Sequence, residues 1–95
     1  MLSIEQIVDA AKIVAGEYPI AKIELFGSYA EGRNTPESDV DLLVEFDSDS
    51  ISLITMVSLK HRLEEILGVD VDVIHAPLGE DAMITPERVI EIYAA

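Results

Sequence analysis

Apolar residues recur along this chain in two rhythms, and the switches between them outline a fold. Over Leu2–Ala15 the residues Ile4, Ile7, Val8, Ala11 and Val14 fall at helical spacing. Ser3 can cap that helix with Gln6 three residues on, Leu2 can staple onto Ile7, and Gly16 supplies the stop. From Ile20 to Phe26 the period shortens to two, which predicts a strand with Ala21, Ile23 and Leu25 on one face. Gly27–Gly32 reads as a tight turn opening a short helical segment, followed by a polar loop around Pro36. A second strand is predicted over Val40–Phe46, with Val40, Leu42, Val44 and Phe46 buried. After a polar turn, Ser52–Leu67 reads as a long helix with Leu53, Met56, Val57, Leu63, Ile66 and Leu67 as its apolar stripe and Gly68 as its end. Val69–Ile74 reads as a third strand with Val69, Val71 and Val73 inward, then a loop over Ala76–Ile84. Thr85 and Pro86 carry the cap and first-turn signals of a final helix. The order α-β-(short α)-β-α-β-α predicts an α/β (α+β) fold, a small mixed sheet with helices packed against it.

Length and composition narrow the picture. A chain of 95 residues, 49% hydrophobic, is expected to form one domain over 1–95 with one modest core. The absence of cysteine excludes disulfides, thiolate zinc sites and cysteine nucleophiles. The opening MLSIEQIVDA reads as the start of a helix rather than a secretory leader, and no run approaches a membrane span, so a cytoplasmic setting without membrane attachment is expected.

Charge changes the picture more. Nineteen acidic residues against six basic ones give a formal net charge of −13, and the cations Lys12, Lys22, Arg33, Lys60, Arg62 and Arg88 are scattered. Stable binding to free nucleic acid needs a basic footprint and is not expected. The acidity suits cations or a basic protein partner, beside its ordinary role in keeping a surface soluble.

The candidate chemistry centres on Ser38-Asp39-Val40-Asp41-Leu42. Residues two apart on a strand share a face, so Asp39 and Asp41 project together with Cα atoms roughly 6.5 Å apart. Burial of Val40, Leu42 and Val44 fixes that register. Two carboxylates on one face repel unless a cation lies between them, and magnesium favours one or two carboxylates plus substrate phosphates. A solvated polar strand edge is the competing explanation. The third strand adds Asp70 and Asp72 opposite its valines. If it neighbours the second strand, Asp72 reaches the same cluster, and three carboxylates on two strands suit a two-metal site. Asp70 lies nearer the turn and is expected to be solvated. Gly27-Ser28 follows a strand and opens a helical turn, a place where backbone N–H groups and a hydroxyl can meet phosphate.

Taken as one string, Gly27-Ser28-Tyr29-Ala30-Glu31-Gly32, the spacer to Glu37, and Ser38-Asp39-Val40-Asp41-Leu42 resemble the defining motif of the DNA polymerase beta-type nucleotidyltransferase superfamily. The specific form looks like its minimal nucleotidyltransferase family, and the order of elements matches over nearly the whole chain. One departure is Glu31, where many members carry arginine. The resemblance implies a polymerase beta-like fold, with Asp39, Asp41 and Asp72 binding Mg2+ and carrying catalysis. It implies Gly27 and Ser28 on the triphosphate of a nucleoside triphosphate. Arg33 and Ser38 complete the candidate nucleotide-binding set. The implied reaction is hydroxyl attack on the α-phosphate with release of pyrophosphate. The implied role is an antitoxin that transfers AMP from ATP to a tyrosine of a HEPN-domain toxin. A non-catalytic antitoxin that masks a basic partner surface is the rival reading, and homo-oligomerisation is left open.

Other residues carry weaker signals. Arg33 reads equally well as a solvated loop residue. Tyr29 is expected to pack against the strand rather than stack on a nucleotide. His61 is expected in solvent, and His75 at a strand end. Tyr18 and Tyr93 qualify as modification sites only if they lie near the pocket.

Overall fold

The computed structural model describes residues 2–33, 35, 38–47, 51–76 and 89–94. The first helix, α1, spans Ile4–Ala15 and begins with the predicted reciprocal cap. Ser3 Oγ accepts from the Gln6 N–H at 3.1 Å, and the Ser3 N–H donates to Gln6 Oε1 at 2.8 Å. Strand β1 follows at Ile20–Phe26, the short helix α2 at Ser28–Glu31 and strand β2 at Val40–Phe46. Helix α3 covers Leu53–Leu67, and strands β3 and β4 cover Val71–Ala76 and Ile90–Ala94.

The strands form one mixed sheet in the order β3-β2-β1-β4. Strand β1 runs antiparallel to β2 and β4, while β2 and β3 run parallel, joined by the α3 crossover. Helix α1 touches α3, β1 and β4, and α3 touches β3, so both long helices lie on one face of the sheet. Between them and the sheet lie Ile7, Val14, Ile23, Leu25, Val40, Leu42, Val44, Leu59, Leu63 and Val71, all fully buried. Two polar clasps tie the layers. Arg62 donates to both carboxylate oxygens of Glu17 at 2.8 and 2.9 Å, which locks α3 to the segment after α1. Lys60 Nζ donates to Glu64 Oε2 at 2.7 Å and to the Val71 carbonyl at 2.9 Å, while the Val71 N–H donates to Glu64 at 3.1 Å. That second clasp fixes the start of β3.

Four expectations are corrected. The last described element is a strand, not a helix; the Thr85-Pro86 cap signal itself lies outside the described residues. Ile90-Glu91-Ile92-Tyr93 alternates, and pairing with the edge of β1 buries Ile92, so tertiary context decides the element. The stripe of α3 is built on Leu59, Leu63 and Leu67, with Met56 and Ile66 packed alongside. Leu53 is 78% exposed and Val57 43% exposed. Val57 lies six residues before Leu63, about 120° round the helix from that stripe. In β1 a register irregularity between Ile20 and Lys22 breaks the alternation, so Ile20 is buried with Ile23 and Leu25, and Ala21 is not. Strand β3 also starts two residues later than predicted, leaving Val69 half-buried before it.

Candidate functional site

The turn after β1 is shaped by glycine. Gly27 has φ 77° and ψ −154°, a conformation that side chains avoid. A Cβ there would overlap the Asp41 carboxylate and lie 3.0 Å from Asp41 Cγ. The position is therefore glycine for two reasons, backbone angle and the close approach of Asp41. Ser28 opens α2 directly after it. Gly32, at φ 73°, closes α2 in the left-handed conformation, and the Arg33 N–H donates to the Ser28 carbonyl at 2.9 Å. Tyr29 is buried in the core, as expected of a packing residue, and its hydroxyl has no hydrogen-bond partner among the described residues.

Strand register assembles the carboxylates. Phe26 lies opposite Asp41 across β1 and β2, and Asp41 lies beside Asp72 across β2 and β3. All three share one row on the sheet face opposite the long helices, because the intervening Leu25, Leu42 and Val73 row points to the core. Asp41 is half-buried, and Asp39 and Asp72 are exposed. Burial first, then the negative charge of Asp72, a hydrogen bond with Asp72 and the charge of Asp39, push the Asp41 carboxyl up to about 6. A carboxyl raised by burial and by neighbouring carboxylates marks a spot short of positive charge. Hard oxygen donors crowded at strand ends fit a divalent cation such as magnesium. Among the described residues, no three acidic or histidine side chains close into a ready-made cage. Asp41 and Asp72 are brought together, and Asp39 stands on the approach to β2.

The remaining candidates separate clearly. Ser38 holds the turn that delivers Asp39: its hydroxyl accepts from the Thr35 N–H at 2.8 Å, and its N–H donates to the Thr35 carbonyl at 3.0 Å. Arg33 is exposed and ion-paired with Glu31 at 2.8 Å. Asp70 is exposed, and its carbonyl accepts from Val40 N–H. His75 stands on the opposite face of β3 from Asp72, edge-on to Phe46 at 5.4 Å between centroids. His61 is exposed; Tyr18 bonds Ser58 at 2.7 Å; Tyr93 pairs with Ile23 on the β4 side. Sequence reasoning missed Phe26 as the neighbour of Asp41, because only the register reveals it. It also missed the Glu31–Arg33 pair, whose spacing across a glycine carries no periodic signal.

Relatives with known names place this arrangement. The chain is 47% identical over 64 residues to the Methanocaldococcus jannaschii protein named "Putative protein adenylyltransferase MJ1379", an alignment covering 66% of this chain and 64% of that one. It is 39% identical over 72 residues to Protein adenylyltransferase MntA of Thermococcus cleftensis, covering 75% of this chain and 72% of that one. The chain thus spans less than two thirds of the first of these relatives. Its fold is similar to a toxin-antitoxin crystal structure with AMP-PNP, with a TM-score of 0.74 at 21% identity over 93% of this chain and 73% of that one. It is also similar to the MNT antitoxin complex of tri-AMPylated Shewanella oneidensis HEPN toxin, with a TM-score of 0.63 at 22% identity over 95% and 73%. These likenesses give the polymerase beta-like fold expected from the motif. Among the described residues, no helix is long and apolar enough to cross a membrane. The sequence model of the nucleotidyltransferase domain matches residues 7–93, nearly the whole length from α1 to β4, and the chain belongs to that family.

Proposed function

We propose that this chain is a magnesium-dependent nucleotidyltransferase of the cytoplasm that moves AMP from ATP to a tyrosine hydroxyl of a HEPN-domain toxin, and so acts as its antitoxin. The observation that carries the reading is the parallel register of Asp41 and Asp72 beside the Gly27-Ser28 turn. Gly27 admits the triphosphate close to the backbone, and Ser28 offers its hydroxyl and N–H to phosphate oxygens. Asp39, Asp41 and Asp72 would hold the metal, which would supply charge neutralisation for the reaction. The acceptor oxygen forms a bond to the α-phosphorus, the bond to the β-phosphate oxygen breaks, and pyrophosphate leaves with the electron pair. Asp72, exposed at the site's edge, takes the hydroxyl proton. The names of the relatives, protein adenylyltransferases and antitoxins of HEPN toxins, support both the nucleotide and the partner.

The test is intact-mass spectrometry of the protein encoded beside this chain after incubation with this chain, ATP and magnesium. One or more added AMP groups are expected, and none with the Asp39→Ala/Asp41→Ala double variant. Modification that survives in that folded double variant rules out the assigned site. A stable complex with no mass gain from any of the four common nucleoside triphosphates points instead to masking by contact, a role that a net charge of −13 would serve on a basic partner.

A further inference from the structure

Between Gly27 and Phe46 the sequence contains a single lysine or arginine, Arg33. It stands on the loop that joins the Ser28 turn to Asp39. Because Gly32 is left-handed and the Arg33 N–H donates to the Ser28 carbonyl, the chain folds back at Arg33 and keeps it beside the turn. Its guanidinium is already engaged. Nη2 at 2.8 Å and Nε at 3.2 Å both donate to one oxygen, Glu31 Oε1. The Glu31 side chain is 22% exposed and the Arg33 side chain 67%, so the carboxylate is anchored on α2 while the guanidinium lies in solvent. A guanidinium fork matches two oxygens of a phosphate as well as it matches a carboxylate. Among the described residues, the present grip uses one acceptor atom.

We propose that Glu31 competes with the phosphates of the bound nucleotide for Arg33, so that the ion pair weakens nucleotide affinity and must open when the triphosphate docks. The proposal rests on the nucleotidyltransferase reading above. Glu31 is a positioning residue: it acts only through Arg33. A pair that merely pinned the loop would make the opposite prediction, since breaking it would loosen the site and weaken binding.

Calorimetric titration of the full chain with AMP-PNP and magnesium tests this on wild type, Glu31→Gln, Arg33→Ala and the double variant. Glu31→Gln should tighten binding about two- to fivefold, the range set by an exposed ion pair. Arg33→Ala should weaken it, and Glu31→Gln should have no effect in the Arg33→Ala background. Glu31→Ala is carried as a second variant, and whichever of the two melts like wild type is the one read. If wild type binds and the folded Glu31 variant binds no more tightly, the competition is refuted and the nucleotidyltransferase reading stands. If the gain persists without Arg33, it is refuted as well. If no protein, wild type included, binds the nucleotide, the nucleotidyltransferase reading fails first and takes this one with it.

Discussion

Two residues beside the site carry a cost that single substitutions can expose. The Tyr29 hydroxyl is buried with no partner among the described residues, which leaves its desolvation unrepaid there. Tyr29→Phe keeps the ring that packs in the core and removes the orphan, and is expected to stabilise the chain by about 1 kcal/mol in a urea titration. A loss of stability would mean that the hydroxyl meets a partner, such as a buried water. Gly27→Ala works in the other direction. It forces a side chain into φ 77° and against Asp41, and should cost about 1–3 kcal/mol for the backbone alone. Because the new methyl displaces a candidate metal-binding carboxylate, transfer activity should fall even under conditions where the variant remains folded. The sequence made Gly27, Asp39 and Asp41 legible as a string. It did not show that Gly27 must be glycine because of Asp41, since contact between residues fourteen apart appears only when β1 and β2 pair.

At the scale of elements, patterns that depend on near neighbours were readable and those that depend on distant ones were not. The capping box of α1 and the inward row Val40, Leu42, Val44 and Phe46 of β2 are local, and both stand as read from the sequence, although Leu43 on the other face is buried as well. The β2–β3 register needed only the inference that the two strands are neighbours, and it sets Asp72 beside Asp41. The last strand was misread because an alternating Ile-Glu-Ile-Tyr segment follows a helix-start signal, and only the vacant edge of β1 decides between them. The buried stripe of α3 was misread because its first turn carries apolar residues that the fold leaves in solvent. That correction is testable. Leu59→Ala empties a fully buried position and should cost about 2–5 kcal/mol. Leu53→Ala, at a position 78% exposed, should change stability by less than about 0.5 kcal/mol. Equal losses in denaturant titrations of the two variants would reinstate the stripe read from the sequence.

For the whole molecule the governing quantity is a net charge of −13, part of which is concentrated where three aspartates approach. At Asp41 its effect on stability has a definite sign. The Asp41 carboxyl sits at about 6 in the folded chain against an ordinary value of 3.8, so the folded state holds a proton that the unfolded state releases. The stability from this group is fully present below about pH 4 and is lost as pH rises through about 6. Glu17, held down by its bond to Arg62, and Glu64, held down by Lys60, act oppositely and lose their contribution as pH falls. A bare pH profile therefore mixes the two signs, and the comparison must be against Asp41→Asn, which removes the titration but keeps a neutral partner for Asp72. Without metal, the variant should melt a few degrees above wild type at pH 7, with the gap closing toward pH 4; solvent around the half-buried group keeps the difference small. Magnesium should then act on wild type where the proton no longer does, raising its melting temperature at pH 7 and leaving Asp41→Asn nearly unmoved. A gap that stays constant with pH would remove the carboxylate repulsion from the account. Equal stabilisation of both proteins by magnesium would place the cation elsewhere on this acidic surface, and the Asp41–Asp72 row would lose its claim to the metal.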